Sequence, residues 1–89
     1  MIAVPGIRVT AEYRKPWNGL PVHTGEVLAM DDPQAWAGSI AFEGKAHPAA
    51  VTAHVKWCIK EIPGFPDKVP VKWSFGRIYW EKIADLQLV

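Results

Sequence analysis

The most regular alternation of apolar and polar residues in the chain runs through VPVKWSFGRIYWE, residues 69–81. Val69, Val71, Trp73 and Phe75 alternate with Pro70, Lys72 and Ser74, which places the four large apolar side chains on one face of an extended segment. Gly76 supplies a reversal. Beyond it, Ile78 and Trp80 alternate with Arg77, Tyr79 and Glu81, and the β-branched and aromatic content suits a second strand. The pattern predicts a β-hairpin. Residues 82–86 then read as one tight helical turn with Leu86 pointing inward, and residues 87–89 as a short last strand.

Upstream, Ile7, Val9 and Ala11 alternate with Arg8, Thr10 and Glu12, predicting a half-buried first strand that ends near Arg14. Residues 14–22, RKPWNGLPV, carry two Pro and an Asn-Gly pair and read as an extended loop with one aromatic on it. A second strand is expected over residues 23–30, with Gly25 marking a bend or bulge. Asp31-Asp32-Pro33 turns the chain, and Trp36, Gly38, Ile40 and Phe42 alternate with Ala37, Ser39 and Ala41 in a predicted third strand over residues 36–43.

Residues 48–62 fit two periodicities. Val51, Ala53, Val55, Trp57 and Ile59 alternate as in a strand, while Val51, Val55, Ile59 and Ile62 lie along one helical face. The length, the Pro at position 48, the Ala content and the Pro63-Gly64 stop favour a helix. The fold class is therefore mainly β with one helix (α+β), in the order β-β-β-α-β-β, with the helix covering a face or end of a curled sheet.

Composition narrows the picture. At 89 residues the chain suits a single domain, and 49% hydrophobic residues with five Trp give it enough bulk for a small core. A formal net charge of +1 argues against a strong electrostatic footprint for nucleic acid. Cys58 is the only cysteine, so no internal disulfide or Cys-based zinc site can form within one chain. No stretch reaches the ~20 apolar residues needed to span a bilayer, and MIAVPGIRV lacks the pattern of a signal peptide, so a soluble, cytoplasmic protein without membrane contact is expected.

The succession GIRVTAEY, RKPWNGLP, TGEVLAM, VPVKWSFGRIYWE, KIADL and QLV resembles an SH3-like barrel of the Tudor and chromatin-module sort over about two thirds of the chain. The remainder, about residues 31–68, is then a helical insertion between the second and third barrel strands. The resemblance implies a non-catalytic binding or adaptor module. Tudor-like modules hold a cation within an aromatic cage, and Tyr13, Trp17 and Tyr79 occupy positions that could supply one. Trp17 suits a lid packed over one end of the barrel better than a cage wall, because Trp is highly buried on average. The chain also resembles type II dihydrofolate reductases in length and architecture. Those enzymes are tetramers with a central pore and a Gln-Ile-Tyr strand motif; here Arg77-Ile78-Tyr79 stands in its place, with Arg for the Gln. In size and style the chain also resembles small accessory proteins of phages and other mobile elements.

Other chemistry is thin. His54 and Cys58, four apart, would share a helix face, but two groups do not make a metal site, and Cys58 suits a small buried hydrophobe. Asp31-Asp32 before Pro33 reads as a turn rather than a carboxylate pair, and the glycines lie singly rather than in a phosphate loop. No catalytic residue, metal or cofactor is indicated. The expected ligand surface comprises Tyr13, Trp17, Tyr79 and Trp36, with Arg14 and Arg77 at its rim. It would serve a protein or peptide partner or a small cationic ligand. Surplus aromatics also suit a homo-oligomer. Arg8, Arg14, Lys15, Lys72 and Arg77 with Trp17 and Tyr79 offer a nucleic-acid alternative, interleaved with Glu12, Glu26 and Glu81.

Overall fold

A computed structural model describes residues 4–14, 23–42 and 45–89. The strands are β1 (Arg8–Ala11), β2 (Gly25–Val27), β3 (Lys68–Trp73), β4 (Ile78–Lys82) and β5 (Leu86–Leu88). They form one antiparallel sheet in the order β4-β3-β2-β1-β5. The two end strands do not pair, so the sheet is open rather than a closed barrel. Two helices lie between β2 and β3: a single turn, α1 (Pro33–Trp36), and the longer α2 (Pro48–Glu61).

The predicted hairpin is present. Gly76, at a φ of 88°, makes the reversal that L side chains rarely adopt, and Trp73 N–H donates to Arg77 C=O at 2.8 Å to close the turn. Phe75 lies beyond the end of β3, in the turn, and is 43% exposed, while its ring stays on the Trp73 side of the hairpin. The core gathers Val9, Ala11, Val27, Val69, Val71, Trp73 and Leu86 from β1, β2, β3 and β5, so the sheet curls around its own inner face. Ile7, Met30 and Ile83 pack against this cluster. Leu86 is inward, as its place after a 3-10 turn over Ile83–Asp85 leads one to expect.

Register decides what shares that face. Val71 pairs with Tyr79 and Val69 with Glu81, so Tyr79 and Glu81 belong to the inner face; Pro70 pairs with Trp80 and Lys72 with Ile78 on the opposite face. Glu81 is therefore buried, not part of a charged exterior. Pro70 accepts from Leu28 N–H at 2.9 Å and can return no bond, and β2 ends one residue earlier, at Val27.

The second strand is shorter than expected, three residues instead of eight. Gly25 begins it without a left-handed backbone, in close packing: a Cβ there would meet Val71 Cγ1 and lie 3.1 Å from Trp73 Cε3. The first strand likewise gives way to a 3-10 turn at Glu12–Arg14.

Over the described residues of the third predicted strand, 36–42 of 36–43, no strand forms. Asp32 is extended and its Oδ1 accepts from Gln34 N–H at 2.9 Å, Pro33 takes the first helical position, and α1 follows. Gly38, at a φ of 80°, ends it, and Ser39 Oγ accepts from Ala41 N–H as a 3-10 turn forms over Ile40–Phe42. Asp-Pro was a helix start, and the alternation behind it was coincidental.

The helix expected at residues 48–62 is found over Pro48–Glu61, capped by His47 Nδ1, which accepts from Ala49 N–H at 3.3 Å. Its buried row is Val51, Val55 and Cys58; Ile59 and Ile62 are exposed. Turning through Cys58 instead of Ile59 keeps the row at the 3.6-residue period.

Candidate functional site

The covering of the sheet's opposite face begins with α1. Once Asp32 and Pro33 have started that turn, Trp36 is held by its indole N–H, which donates to Met30 C=O at 2.7 Å. Trp80 reaches up from β4 and donates its indole N–H to Ala35 C=O at 3.0 Å. The two rings meet edge to face, with centroids 4.9 Å apart. Behind Trp36 lie His54 (5.0 Å) and Phe42 (5.9 Å), both nearly perpendicular to it, and Trp57 stacks on His54. α2 thus supports α1 through aromatic side chains.

Between α1 and the hairpin lies an open cleft of about 570 Å³, walled by Trp36, Trp80, Ile78 and Phe65 and by residues 37–39. Because both indole N–H groups are committed inside the fold, the tryptophans present carbon surface to the cleft. Asp67 and Lys68 provide its charged groups. Lys82, the cross-strand partner of Lys68, lies on the same face of the sheet just outside the cleft lining.

A second aromatic cluster occupies the inner face at the hairpin turn. Phe75 lies parallel to buried Trp73 at 6.3 Å, with His23 edge-on at 5.0 Å and Tyr79 tilted at 6.3 Å. Trp73 donates its indole N–H to Glu81 Oε1 at 3.2 Å. Burial pushes the Glu81 carboxyl above the ordinary carboxylate value, and the neighbouring charge of Asp85 adds to the effect.

The structure distributes the sequence-predicted residues over separate places. Trp36 stands in the cleft, whereas Tyr79 belongs to the opposite face of the sheet and Arg77 to the exposed hairpin turn. Tyr13 is exposed in the 3-10 turn after β1, which Arg14 closes; the Arg14 side chain and Trp17 lie outside the described residues. Among the proposed basic residues, Arg8 and Lys72 both pair with Glu26, which stands between them. Lys72 and Tyr79 face opposite ways.

Trp80, Ile78, Phe65, Asp67 and Lys68 were not singled out as site residues. The available signal was the phase of the β4 alternation, which sets Trp80 against Tyr79, together with Asp32-Pro33 as a helix start that would lay Trp36 over that face.

Cys58 Sγ lies 3.5 Å from His54 Nε2, buried under the helix. No group of three or more His, Cys, Asp or Glu able to hold a metal occurs among the described residues, and no helix among them is long and apolar enough to cross a membrane. Comparison with protein-family models, curated proteins and solved structures finds no match to this chain.

Proposed function

We propose that this protein is a non-catalytic recognition module that takes a side chain of a protein or peptide partner into the cleft between α1 and the β3–β4 hairpin. The observation that carries this reading is the Trp36–Trp80 pair: two indoles at 4.9 Å, each with its N–H satisfied within the fold, leaving an apolar wall open to solvent. Concave, mostly apolar surfaces with a few polar groups at the rim are what small recognition sites use. The strand order and the 3-10 turn before β5 support an SH3-like architecture. Lys68 and Lys82 against one Asp67 make the cleft's surroundings favour a neutral or acidic partner over a cationic ligand.

Selection of displayed peptides on the wild-type protein tests this, with Ile78→Glu as the counter-target. Ile78 is half-buried at the cleft wall, so a carboxylate there disturbs the apolar surface at modest cost to the fold. The expected result is a family of peptides retained by wild type and lost by Ile78→Glu, while thermal unfolding of the variant stays cooperative. Equal retention by both proteins would place recognition elsewhere.

A further inference from the structure

Beside the cleft runs the free edge of β4, and its hydrogen-bonding direction follows from the ladder. Trp73 N–H bonds Arg77 C=O, and Ile83 N–H bonds Asp67 C=O, so in this register the odd-numbered residues of β4, Tyr79 and Glu81, turn their main-chain groups toward β3. The even-numbered residues turn theirs outward. The N–H and C=O of Ile78 and Trp80 and the N–H of Lys82 thus line an open edge with no partner among the described residues. Unpaired edges are strand templates that folded proteins usually blunt or cover. Here the same two residues that offer outward main-chain groups, Ile78 and Trp80, also send their side chains into the cleft.

We infer that an extended segment of a partner adds to β4 as a sixth strand, placing alternate side chains in the cleft; this rests on the recognition reading above and specifies its mode. Main-chain bonds to Ile78 and Trp80 supply affinity, and the pleat puts residues i and i+2 on the cleft side. The face fixes the chemistry. From Ile78 through Trp80 to Lys82 the edge passes from an apolar wall to a pair of lysines, since Lys82 and Lys68 are cross-strand partners. A segment running antiparallel to β4 therefore carries an acidic residue first, beside Lys82, and aliphatic residues two and four positions later, beside Trp80 and Ile78. Asp67 and Lys68 are the charged residues that line the cleft, and Lys82 stands beside Lys68 on the same face of the sheet.

The probe is the capped peptide acetyl-TETLTVT-amide, titrated into the full chain to millimolar concentration and followed by amide-resolved hydrogen exchange. Exchange at the N–H groups of Ile78 and Trp80 should slow, whereas Tyr79 and Glu81, already bonded to β3, should change little. Methylating the peptide's leucine nitrogen, which faces Trp80 in this register, should abolish binding. Replacing its glutamate by lysine should weaken binding by about threefold at low salt, the scale of an exposed ion pair.

Several results would overturn the inference. Binding that survives N-methylation, or that leaves Ile78 and Trp80 exchanging at their free rates, keeps a recognition cleft but removes strand addition. No binding of the probe removes this partner chemistry, while the peptide selection separately decides whether the cleft recognises anything. A doubled mass in light scattering without peptide, with Ile78 and Trp80 already protected, would give the edge to a second copy of the chain.

Discussion

Trp73 and Trp80 belong to the same hairpin, seven residues apart, yet they do opposite work. Trp73 is 1% exposed on the inner face, in contact with the valine core, and gives its N–H to a buried carboxylate. Trp80 is half-buried on the other face, under a single helical turn, and gives its N–H to a backbone carbonyl of that turn. The pleat separates them: an odd and an even position on paired strands cannot share a face. One indole fills a core that the sheet makes by curling on itself; the other makes a surface that needs an outside element to cover it. A sheet with two such faces can put stability on one and recognition on the other.

Substitution is the strongest way to break this comparison. Trp73→Ala should cost about 3–5 kcal/mol, a large share of the stability of an 89-residue chain, because the indole leaves a cavity the valines cannot fill. Trp80→Ala should cost roughly 1–3 kcal/mol, since less area returns to water, and it should abolish partner retention. Denaturant titration of both variants checks the ordering. Equal losses would mean that both faces are core and would remove the distinction on which the cleft rests.

A smaller perturbation sharpens the inner face alone. Gly25→Ala puts a methyl against Val71 and the Trp73 ring, where β1, β2 and β3 come together. Overpacking of this kind should cost about 1–3 kcal/mol while leaving the cleft's peptide binding intact. Denaturation midpoints together with the peptide titration measure both. Loss of binding in proportion to stability would show that the two faces are not independent.

These expectations depend on features of unequal visibility in the sequence. The hairpin, the turn at Gly76, the inward Leu86 and the helix after Pro48 were legible because each rests on a local pattern: strict alternation, a left-handed glycine, or Pro at the first helical position. The segment after Asp32 was not. Asp-Pro serves both a turn and a helix start, and alternation over residues 36–43 imitated a strand where Gly38 and Ser39 break a helical path. The cleft was half legible. Trp36 stood out as an aromatic, but its ring partner Trp80 is tied to the same helical turn by a hydrogen bond spanning 45 residues of sequence, from Trp80 to Ala35. Glu81 was misplaced for a related reason. An acid in an alternating strand reads as solvent-facing, and only the register Val69–Glu81 with a tryptophan donor on the same face shows it buried.

Glu81 also supplies the mildest test, one that leaves shape almost untouched. It is 4% exposed, and burial first, then the charge of Asp85, raises its carboxyl above the ordinary 4.5. The unfolded chain has no such penalty. Protonated Glu81 is therefore favoured by folding, and its contribution is fully present below the unfolded value and lost as pH rises through the raised folded value. Glu81→Gln keeps an oxygen for the Trp73 indole and removes the charge, so the variant should be more stable than wild type at neutral pH. The advantage should shrink as pH falls toward about 4, where both carboxyl states converge. Thermal midpoints of the two proteins across that range measure it. A constant difference would mean that the Trp73 hydrogen bond offsets the burial of charge. Trp80, bonded to a carbonyl that does not titrate, should show no matching dependence in Trp80→Phe, which separates the two tryptophans by pH as well as by position.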